Sequence, residues 1–512
     1  MAVMGAMLLG LAGCDVTDDN IEHWKHTQRG PGKIATVLVE GRYAMPLRVH
    51  AARALIEMKH PNYRGLDVLR DAMQGRMAQS DREAITHQLM PELQRMLEGS
   101  GNANAAQGPT EMQIKAKDAA YVLIRGDGTT SFASAEDRAA LSNLVLDWLL
   151  ADFNSRALAG SYTAEQVIGA IGPSAAPRLA GAINARESSI QVSVELARQI
   201  QRLNSPDGTR AGVEALVRTA REVSSDAVNA QLTTRATELL SPPGRDAGAP
   251  SAARVQQAVG ALRDQYLTLL FEAIRTLSRP EGTEYLLSVA RDASAPLPRR
   301  KLALSAMSGA VSAANTAGLF EIANCAQGPT CDVELRGLAV DRLGESRSRE
   351  ALPQLFTLFD QANGGAADQS FTLRWKAGEA IIRLGGTAVL NDFVAHLSAP
   401  RAGFAGYTFA EINGYAQAIA ELTPPPRAQM RALLNNPAQP AQLLGIFFLG
   451  LKGEQEDVPR LEALASNTTP ITGEGWTDAQ QATIGAAATA AKERLRQALT
   501  AAAQPAAAPE QS

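Results

Sequence analysis

The chain is poor in the residues that favour strands. Aromatic residues make up only 5% of its 512 positions, while alanine, leucine, arginine, glutamate and glutamine are frequent. Because β-branched and aromatic side chains pack best on a pleated surface, this composition favours helices. The apolar fraction of 45% and the charged fraction of 20% are ordinary for globular proteins, which excludes a disordered chain and a polytopic membrane protein. An all-α protein is therefore predicted.

The chain also lacks an excess of charge of either sign. It has 49 lysines and arginines against 53 aspartates and glutamates, a net charge of −4, with no long run of one sign. A nucleic-acid partner is therefore not expected, since such binding needs a basic face. Walker loops, Gly-x-Ser-x-Gly elbows, EF-hand loops and Cys-x-x-Cys pairs are absent from the sequence. No catalytic residue, cofactor or metal ligand is nominated, and the chain is not predicted to be an enzyme.

The N-terminus has the pattern of an export signal. Residues 2–13 are uncharged and apolar, too few to span a bilayer, and they end in Leu11-Ala12-Gly13-Cys14 before a polar run. This pattern resembles the lipobox of bacterial lipoproteins, whose cysteine is diacylated and becomes the mature N-terminus. The resemblance implies a signal peptide at 1–13, lipidation of Cys14 and a tether at 14–19, although no basic residue precedes the lipobox. The alternative is a frayed apolar N-terminus with an unrelated cysteine.

Two further cysteines, Cys325 and Cys331, flank a short segment that contains Gly328 and Pro329. An even pair of cysteines in an oxidising compartment indicates a disulfide. The glycine and proline favour a turn that brings the two Cα atoms within disulfide range. No histidine lies nearby in the sequence to complete a metal site. A disulfide between Cys325 and Cys331 is expected, and two inert thiols are the alternative.

A helix signature recurs along the body of the chain. A basic residue is followed three positions on by a small residue and, after four more, by a large aliphatic one, so that the last two share a helix face. Copies begin at Arg48, Lys117, Arg300, Arg336 and Arg374. The last three recur at a period of about 40 residues, which is typical of stacked helical hairpins. The small residue lets the paired helix approach, and the aliphatic residue fills the layer between hairpins.

A second signature links the two helices of a hairpin. Its clearest copy ends a helix at Gly172, turns at Pro173 and begins the next helix at Ala176-Pro177-Arg178-Leu179. Together the two signatures resemble HEAT repeats of the short type found in bacterial proteins and phycobilin lyases. The resemblance implies an all-α, HEAT-type α-solenoid of stacked helical hairpins. It is clearest at 47–57, 161–184 and 298–397 and poor over 186–290.

Breaks in composition divide the predicted array. Glycine and proline concentrate at 241–254, which is the predicted linker between an N-terminal lobe at 20–240 and a C-terminal lobe at 255–500. Residues 501–512 are rich in alanine, glutamine and proline, and a disordered tail is expected there.

The elongated surface of a solenoid is suited to gripping another protein. With the lipobox, this predicts a lipid-anchored scaffold or assembly factor in the bacterial cell envelope, facing the periplasm or the cell exterior, with protein partners in the envelope. The choice between inner and outer membrane stays open. The alternative is a small-ligand-binding protein or a lyase-like enzyme built on HEAT repeats, which would need a pocket with convergent polar groups.

The predicted disulfide can be tested by alkylation of the unfolded protein. We expect Cys325 and Cys331 to resist a maleimide reagent until reductant is added, because a disulfide sulfur is not a nucleophile. Mass spectrometry of the tryptic peptides reads out both sites. Full alkylation of both residues without reductant would show that there is no disulfide.

Overall fold

The computed structural model is all-α, as the composition predicts. It describes residues 16–503 except for these positions: 60, 61, 63, 100–107, 242–249, 326–331, 363–368, 402, 405, 474–475 and 477–481. Within that part of the chain the regular elements are helices, and the only β-pairing is an isolated bridge between Pro470 and Thr483. Among the same residues, none of the helices is both long enough and apolar enough to span a bilayer.

The helices form two compact units, of which the first ends at Val228 and the second begins at Asn229. The first unit contains α1 (Asp18–Trp24), α2 (Gly30–Val39), α3 (Met45–Glu57), α4 (Gly65–Arg76), α5 (Gln79–Glu98), α6 (Glu111–Arg125), α7 (Ala135–Ala151), α8 (Phe153–Arg156), α9 (Ala164–Ile171), α10 (Ala176–Gly181), α11 (Glu187–Arg202) and α12 (Pro206–Ser224).

The second unit contains the longer series of helices. They are α13 (Asn229–Leu240), α14 (Ala252–Leu277), α15 (Pro280–Arg291), α16 (Leu297–Ala306), α17 (Thr316–Ala323), α18 (Val333–Glu345), α19 (Leu352–Gln361), α20 (Gln369–Gly385), α21 (Leu390–Ser398), α22 (Phe409–Ala420), α23 (Arg427–Leu433), α24 (Gln439–Lys452), α25 (Asp457–Leu464) and α26 (Ile484–Ala503).

Helix packing within each unit is that of a solenoid of helical hairpins. In the second unit the first helices of successive hairpins contact one another in series and form one layer: α14, α16, α18, α20, α22, α24 and α26. Most of the intervening helices pack against the first helix of the next hairpin, as α17 does on α18 and α19 on α20. In the first unit α3 contacts α5, and α5 contacts α7. The predicted HEAT-type stacking of helical hairpins is confirmed.

The small residues of the helix signature allow this close packing. Ala303, Ala339 and Ala377 are fully buried in α16, α18 and α20. The backbones of two first helices come close at Gly344, where a Cβ atom would lie only 3.0 Å from the Cα of Ala380 on the next first helix. A larger side chain there would separate α18 from α20, because cores as dense as this tolerate extra volume poorly.

The arginine of the signature binds the end of the preceding helix. In four copies its guanidinium donates a hydrogen bond to a carbonyl in the last turn of that helix or just beyond it, at 2.8–2.9 Å: Arg48 to Leu38, Arg300 to Ala290, Arg336 to Ala323, and Arg374 to Ala362. These carbonyls have no partner within their own helix. A cation is also favourable at the negative end of the helix dipole. The contact therefore ties the second helix of one hairpin to the first helix of the next.

Arg374 has the most extensive version of this contact. Its guanidinium is fully buried and forms two hydrogen bonds with the equally buried carboxylate of Glu411, Nε to Oε1 at 2.6 Å and Nη2 to Oε2 at 3.0 Å. Glu411 lies in the first turn of α22 and also accepts from the backbone amide and hydroxyl of Thr408. Burial lowers the pKa of Arg374, but the bonds to Glu411 outweigh it and raise the pKa. One side chain thus links α19, α20 and α22.

Element boundaries differ in detail from the predicted segments. Helix α13 ends just before the predicted linker at 241–254, and α14 begins inside it at Ala252. The two helices pack against each other, and the division between the units falls before α13. Helix α1 begins at Asp18, within the predicted tether, and α26 continues to Ala503, within the predicted tail. The described parts of 186–290 are largely helical, although this segment carries no clear copy of the signature.

Arg374 provides a test of the contacts between hairpins. We expect Arg374→Met to lower the free energy of unfolding by about 3–5 kcal/mol, because Glu411 is left as a buried charge without its partner. Urea denaturation followed by circular dichroism measures the change. The double variant Arg374→Met/Glu411→Leu should recover much of the loss. The control is Arg496→Met, which alters an exposed pair with Glu493. If Arg374→Met is no less stable than this control, the Arg374–Glu411 pair does not stabilise the stack.

Candidate functional site

Of the three residues nominated from the sequence, the structure describes only Cys325. Cys14 lies outside the described residues, which begin at Val16. Cys325 lies two positions after the end of α17 at Ala323, and Cys331 also lies outside the described residues. Lipidation and the disulfide therefore stay predictions. Among the residues that are described, no group of three or more histidine, cysteine, aspartate or glutamate side chains is placed to hold a metal ion.

A cleft of about 420 Å³ opens in the first unit beside the N-terminal half of α6. We call it the α6 cleft. It lies between the end of α3, the start of α4, the first turns of α6 and the loop at 157–163. Its lining combines apolar side chains, among them Ile56, Leu66 and Ile114, with charged ones that include Lys59 and Glu111. This mixture is typical of a protein-binding surface with an apolar centre and a polar rim.

A buried ion pair holds the loop that forms one wall of the α6 cleft. The ammonium of Lys117 lies 2.6 Å from the carboxylate of Asp118, and both side chains are almost completely shielded from solvent. Lys117 donates to the carbonyls of Ala159, at 2.6 Å, and Tyr162. Asp118 accepts from the backbone amides of Ser161, at 2.8 Å, and Tyr162. The loop is therefore anchored to α6 by four hydrogen bonds from two adjacent residues.

Desolvation dominates the electrostatics of this pair. Burial lowers the pKa of the Lys117 ammonium, and its bond to Asp118 offsets only part of that effect. Both ions are bonded to the loop as well as to each other, which is the condition under which a buried pair is tolerated. Tyr162 packs its ring against Tyr121 at a centroid distance of 4.1 Å, and burial raises the pKa of its hydroxyl.

Charged side chains form the rim of the α6 cleft. Glu111 pairs with Lys59 at 2.5 Å and with Lys115 at 3.2 Å. Hydrogen bonds from these two ammonium groups lower the pKa of the Glu111 carboxyl. Lys115 also donates to the carbonyl of Glu57 at 2.9 Å, which closes the rim against the end of α3. A bound chain would therefore meet these charges as well as the apolar side chains that line the cleft.

Two unusually exposed hydrophobic side chains lie on elements that border this cleft. In the described part of the chain the exposed large hydrophobics are Met112, Leu158 and Leu239, at 41%, 81% and 53% of their surface. Met112 lies in the first turn of α6, and Leu158 lies in the loop held by Lys117 and Asp118. A partner that covers such side chains removes apolar surface from water, which lowers the free energy of the complex.

A glycine is required at position 160, where the loop passes close to α6. Its φ angle is +87°, and an added Cβ atom would lie 2.6 Å from Cγ2 of Ile114 and 2.7 Å from Oδ2 of Asp118. Both the backbone conformation and the space exclude a side chain. The glycine therefore sets the distance between the loop and the helix, and with it the width of the cleft.

The residues that form this site carry little signal in the sequence. Lys117 and Asp118 match the helix signature, so their role in holding a loop could not be separated from a role in packing. Leu158 carried one usable signal, because it is a large apolar residue in a loop of small residues that continues with Gly160 and Ser161. Its exposure depends on how that loop is fixed, which only the structure reveals.

Comparison with known proteins leaves the family open. No protein-family model matches the chain, and no curated protein sequence matches it. Among solved structures, a crystal structure of importin beta in an ammonium sulfate condition is similar over 94% of this chain and 64% of its own, with 12% sequence identity and a TM-score of 0.27. The chain thus spans less than two thirds of that protein. The solenoid assignment rests on the helix packing described above.

The loop geometry predicts a difference between two glycine variants. We expect Gly128→Ala to cost about 1–2 kcal/mol of stability, since φ is +96° there but the space is open. Gly160→Ala should cost about 1–3 kcal/mol more, because the methyl group collides with Ile114 and Asp118. Hydrogen–deuterium exchange should show faster exchange at Ser161 and Tyr162 in Gly160→Ala alone. Equal exchange in both variants would contradict this account of the loop.

Proposed function

We propose that this protein is an interaction scaffold that binds a protein partner at the α6 cleft. The observation that carries the proposal is the position of Leu158 and Met112, two exposed apolar side chains on elements that border one cleft with a charged rim. Binding hot spots combine such anchors with a surrounding polar ring. The loop beside the cleft is fixed to α6 in advance, so a partner would not have to order it, which favours affinity.

We also propose that the scaffold is attached by lipid at Cys14 in a bacterial cell envelope, facing the periplasm or the cell exterior. The support is the lipobox resemblance of residues 11–14 and the predicted disulfide, which suits an oxidising compartment. Helix α1 begins at Asp18, four positions after Cys14, and four residue steps span at most about 14 Å. An anchor at Cys14 would hold the first helix of the first unit close to the bilayer surface.

One cavity favours the alternative of a small-ligand-binding protein. It lies in the second unit, has a volume of about 230 Å³ and is lined in part by Ser398 and Tyr407. The hydroxyl groups of both residues are buried without a hydrogen-bond partner among the described residues. Pockets for drug-sized ligands usually exceed about 300 Å³, so this cavity suits only a small polar molecule. The enzymatic alternative has no comparable support.

Crosslinking in intact cells tests the scaffold directly. A tag after Ser512 allows purification, and mass spectrometry identifies crosslinked proteins. We expect one stoichiometric partner with the unaltered protein and at least a tenfold loss with Met112→Glu/Leu158→Glu, because two charges would enter an apolar contact. Leu239→Glu, at an exposed apolar position on α13, is the matched control and should retain the partner. Equal recovery from both variants would refute binding at the α6 cleft.

A Cys14→Ser variant separates the anchor from the binding site. We expect it to leave the membrane fraction and to incorporate no labelled palmitate, since the acylated sulfur is missing. Membrane partition and palmitate labelling that persist in the variant would refute lipidation at Cys14. A partner that is retained by Cys14→Ser but lost by the double glutamate variant would support the scaffold and show that binding does not need the anchor.

A further inference from the structure

A second cleft lies along the same helix as the first. It has a volume of about 540 Å³ and is lined by the C-terminal half of α6, the turn that follows it and parts of α7 and α9. Tyr121 and Arg125 contribute from α6, and Arg138 contributes from α7. We call it the Arg125 groove. It extends the surface already described toward the other end of α6.

Both clefts are lined from one face of α6. Ile114 and Asp118 line the α6 cleft, and Tyr121 and Arg125 line the Arg125 groove. These positions follow the three- and four-residue spacing that places side chains in one row on a helix. At 1.5 Å per residue, the row from Ile114 to Arg125 measures about 16 Å. Tyr162, whose ring packs on Tyr121 at 4.1 Å, stands between the two clefts.

The Arg125 groove is positively charged. Of the described residues that line it, two are arginines and none is acidic. The guanidinium of Arg125 donates to the hydroxyl of Tyr121 at 2.6 Å, and that of Arg138 donates to the carbonyl of Ala170 at 3.0 Å. Neither is paired with a carboxylate in the described part of the chain, and both side chains are exposed. N–H groups on both therefore stay available to an anion.

Nearby acidic side chains are occupied elsewhere. The carboxylate of Asp127 accepts from the amides of Thr129 and Thr130, at 2.8 and 2.7 Å, and from the hydroxyl of Thr129. These bonds lower the pKa of Asp127 to about 2. Glu165, on α9, pairs with Arg202 at 2.6 Å. Neither carboxylate is among the groups that line the groove.

We propose that the face of α6 binds a linear acidic segment of the partner, with an apolar side chain in the α6 cleft and carboxylates in the Arg125 groove. The inference rests on the proposed function and names the chemistry of the segment that the scaffold recognises. An extended chain advances about 3.3 Å per residue, so about five residues separate the anchor from the acidic end. Arginine is well suited to this role because its planar fork binds a carboxylate with two hydrogen bonds.

The combination of an apolar cleft and a basic groove favours a peptide over a nucleic acid. A nucleic acid would bring phosphates to the Arg125 groove but flat bases, and no aliphatic side chain, to the α6 cleft, where Ile56, Leu66 and Ile114 line the wall. A peptide supplies both chemistries along one chain. A peptide with an apolar residue and a carboxylate at a fixed spacing would fit an apolar cleft and a basic groove that lie in one row on one helix.

A fluorescent probe peptide tests this inference on the purified full-length protein. The probe carries a leucine, a spacer of four serines and two glutamates, and fluorescence anisotropy measures its binding. We expect Arg125→Gln/Arg138→Gln to weaken binding at least tenfold and to reduce its salt dependence. Arg210→Gln/Arg218→Gln removes two exposed arginines of α12 and should leave binding unchanged. A probe with lysines in place of the glutamates should bind at least tenfold more weakly.

Four results would overturn the proposal: no binding of the probe at millimolar concentration, equal weakening by the two double variants, equal binding of the lysine probe, or tighter binding of a ten-residue oligothymidylate. The crosslinking experiment in cells separates this inference from the proposed function. A partner that depends on Met112 and Leu158 but is fully retained by Arg125→Gln/Arg138→Gln would leave the scaffold intact and refute the acidic segment.

Discussion

The hydrogen bond from an arginine to the carbonyl end of the preceding helix is the contact on which the regular stack depends. A helix ends with carbonyls that have no partner, and burying them between hairpins would be costly. Arg48, Arg300, Arg336 and Arg374 each satisfy one of them from the next hairpin. The same side chain can reach an acidic residue in the first turn of a later helix, as Arg374 reaches Glu411. The same charged contact, together with helix packing, thus fixes how each hairpin sits on the next.

The candidate site lies where this pattern changes. In the α6 copy of the signature a lysine stands in place of the arginine, and Lys117 reaches the loop at 157–163 instead of the end of the preceding helix. Asp118 completes the contact by binding the amides of that loop. The loop then stands against α6 and forms a wall of the cleft, with Leu158 exposed to solvent. A local departure from the repeat therefore creates a surface that the regular hairpins do not offer.

The helical layers could be predicted because the spacing of small and apolar residues along a helix indicates which positions are buried. Signature residues such as Ala303 and Ala377 are fully buried, as their spacing indicates. The α6 cleft could not be predicted, since its walls come from three separate stretches of chain. No sequence motif indicates that these stretches lie close together in the fold. The division between the units also differs from the predicted linker. Composition at 241–254 indicates a loop, but it carries no information about how α13 and α14 pack on either side of it.

Photo-crosslinking in living cells would test the central claim most directly, that the α6 cleft is the surface that binds a partner. A benzophenone amino acid is placed at Leu158 and, separately, at Leu239, and the adducts are mapped by mass spectrometry. The account predicts one dominant protein adduct from Leu158, joined through a segment that contains an apolar residue and nearby carboxylates, and no such adduct from Leu239. The same adduct at equal yield from both positions, or none from Leu158, would contradict it.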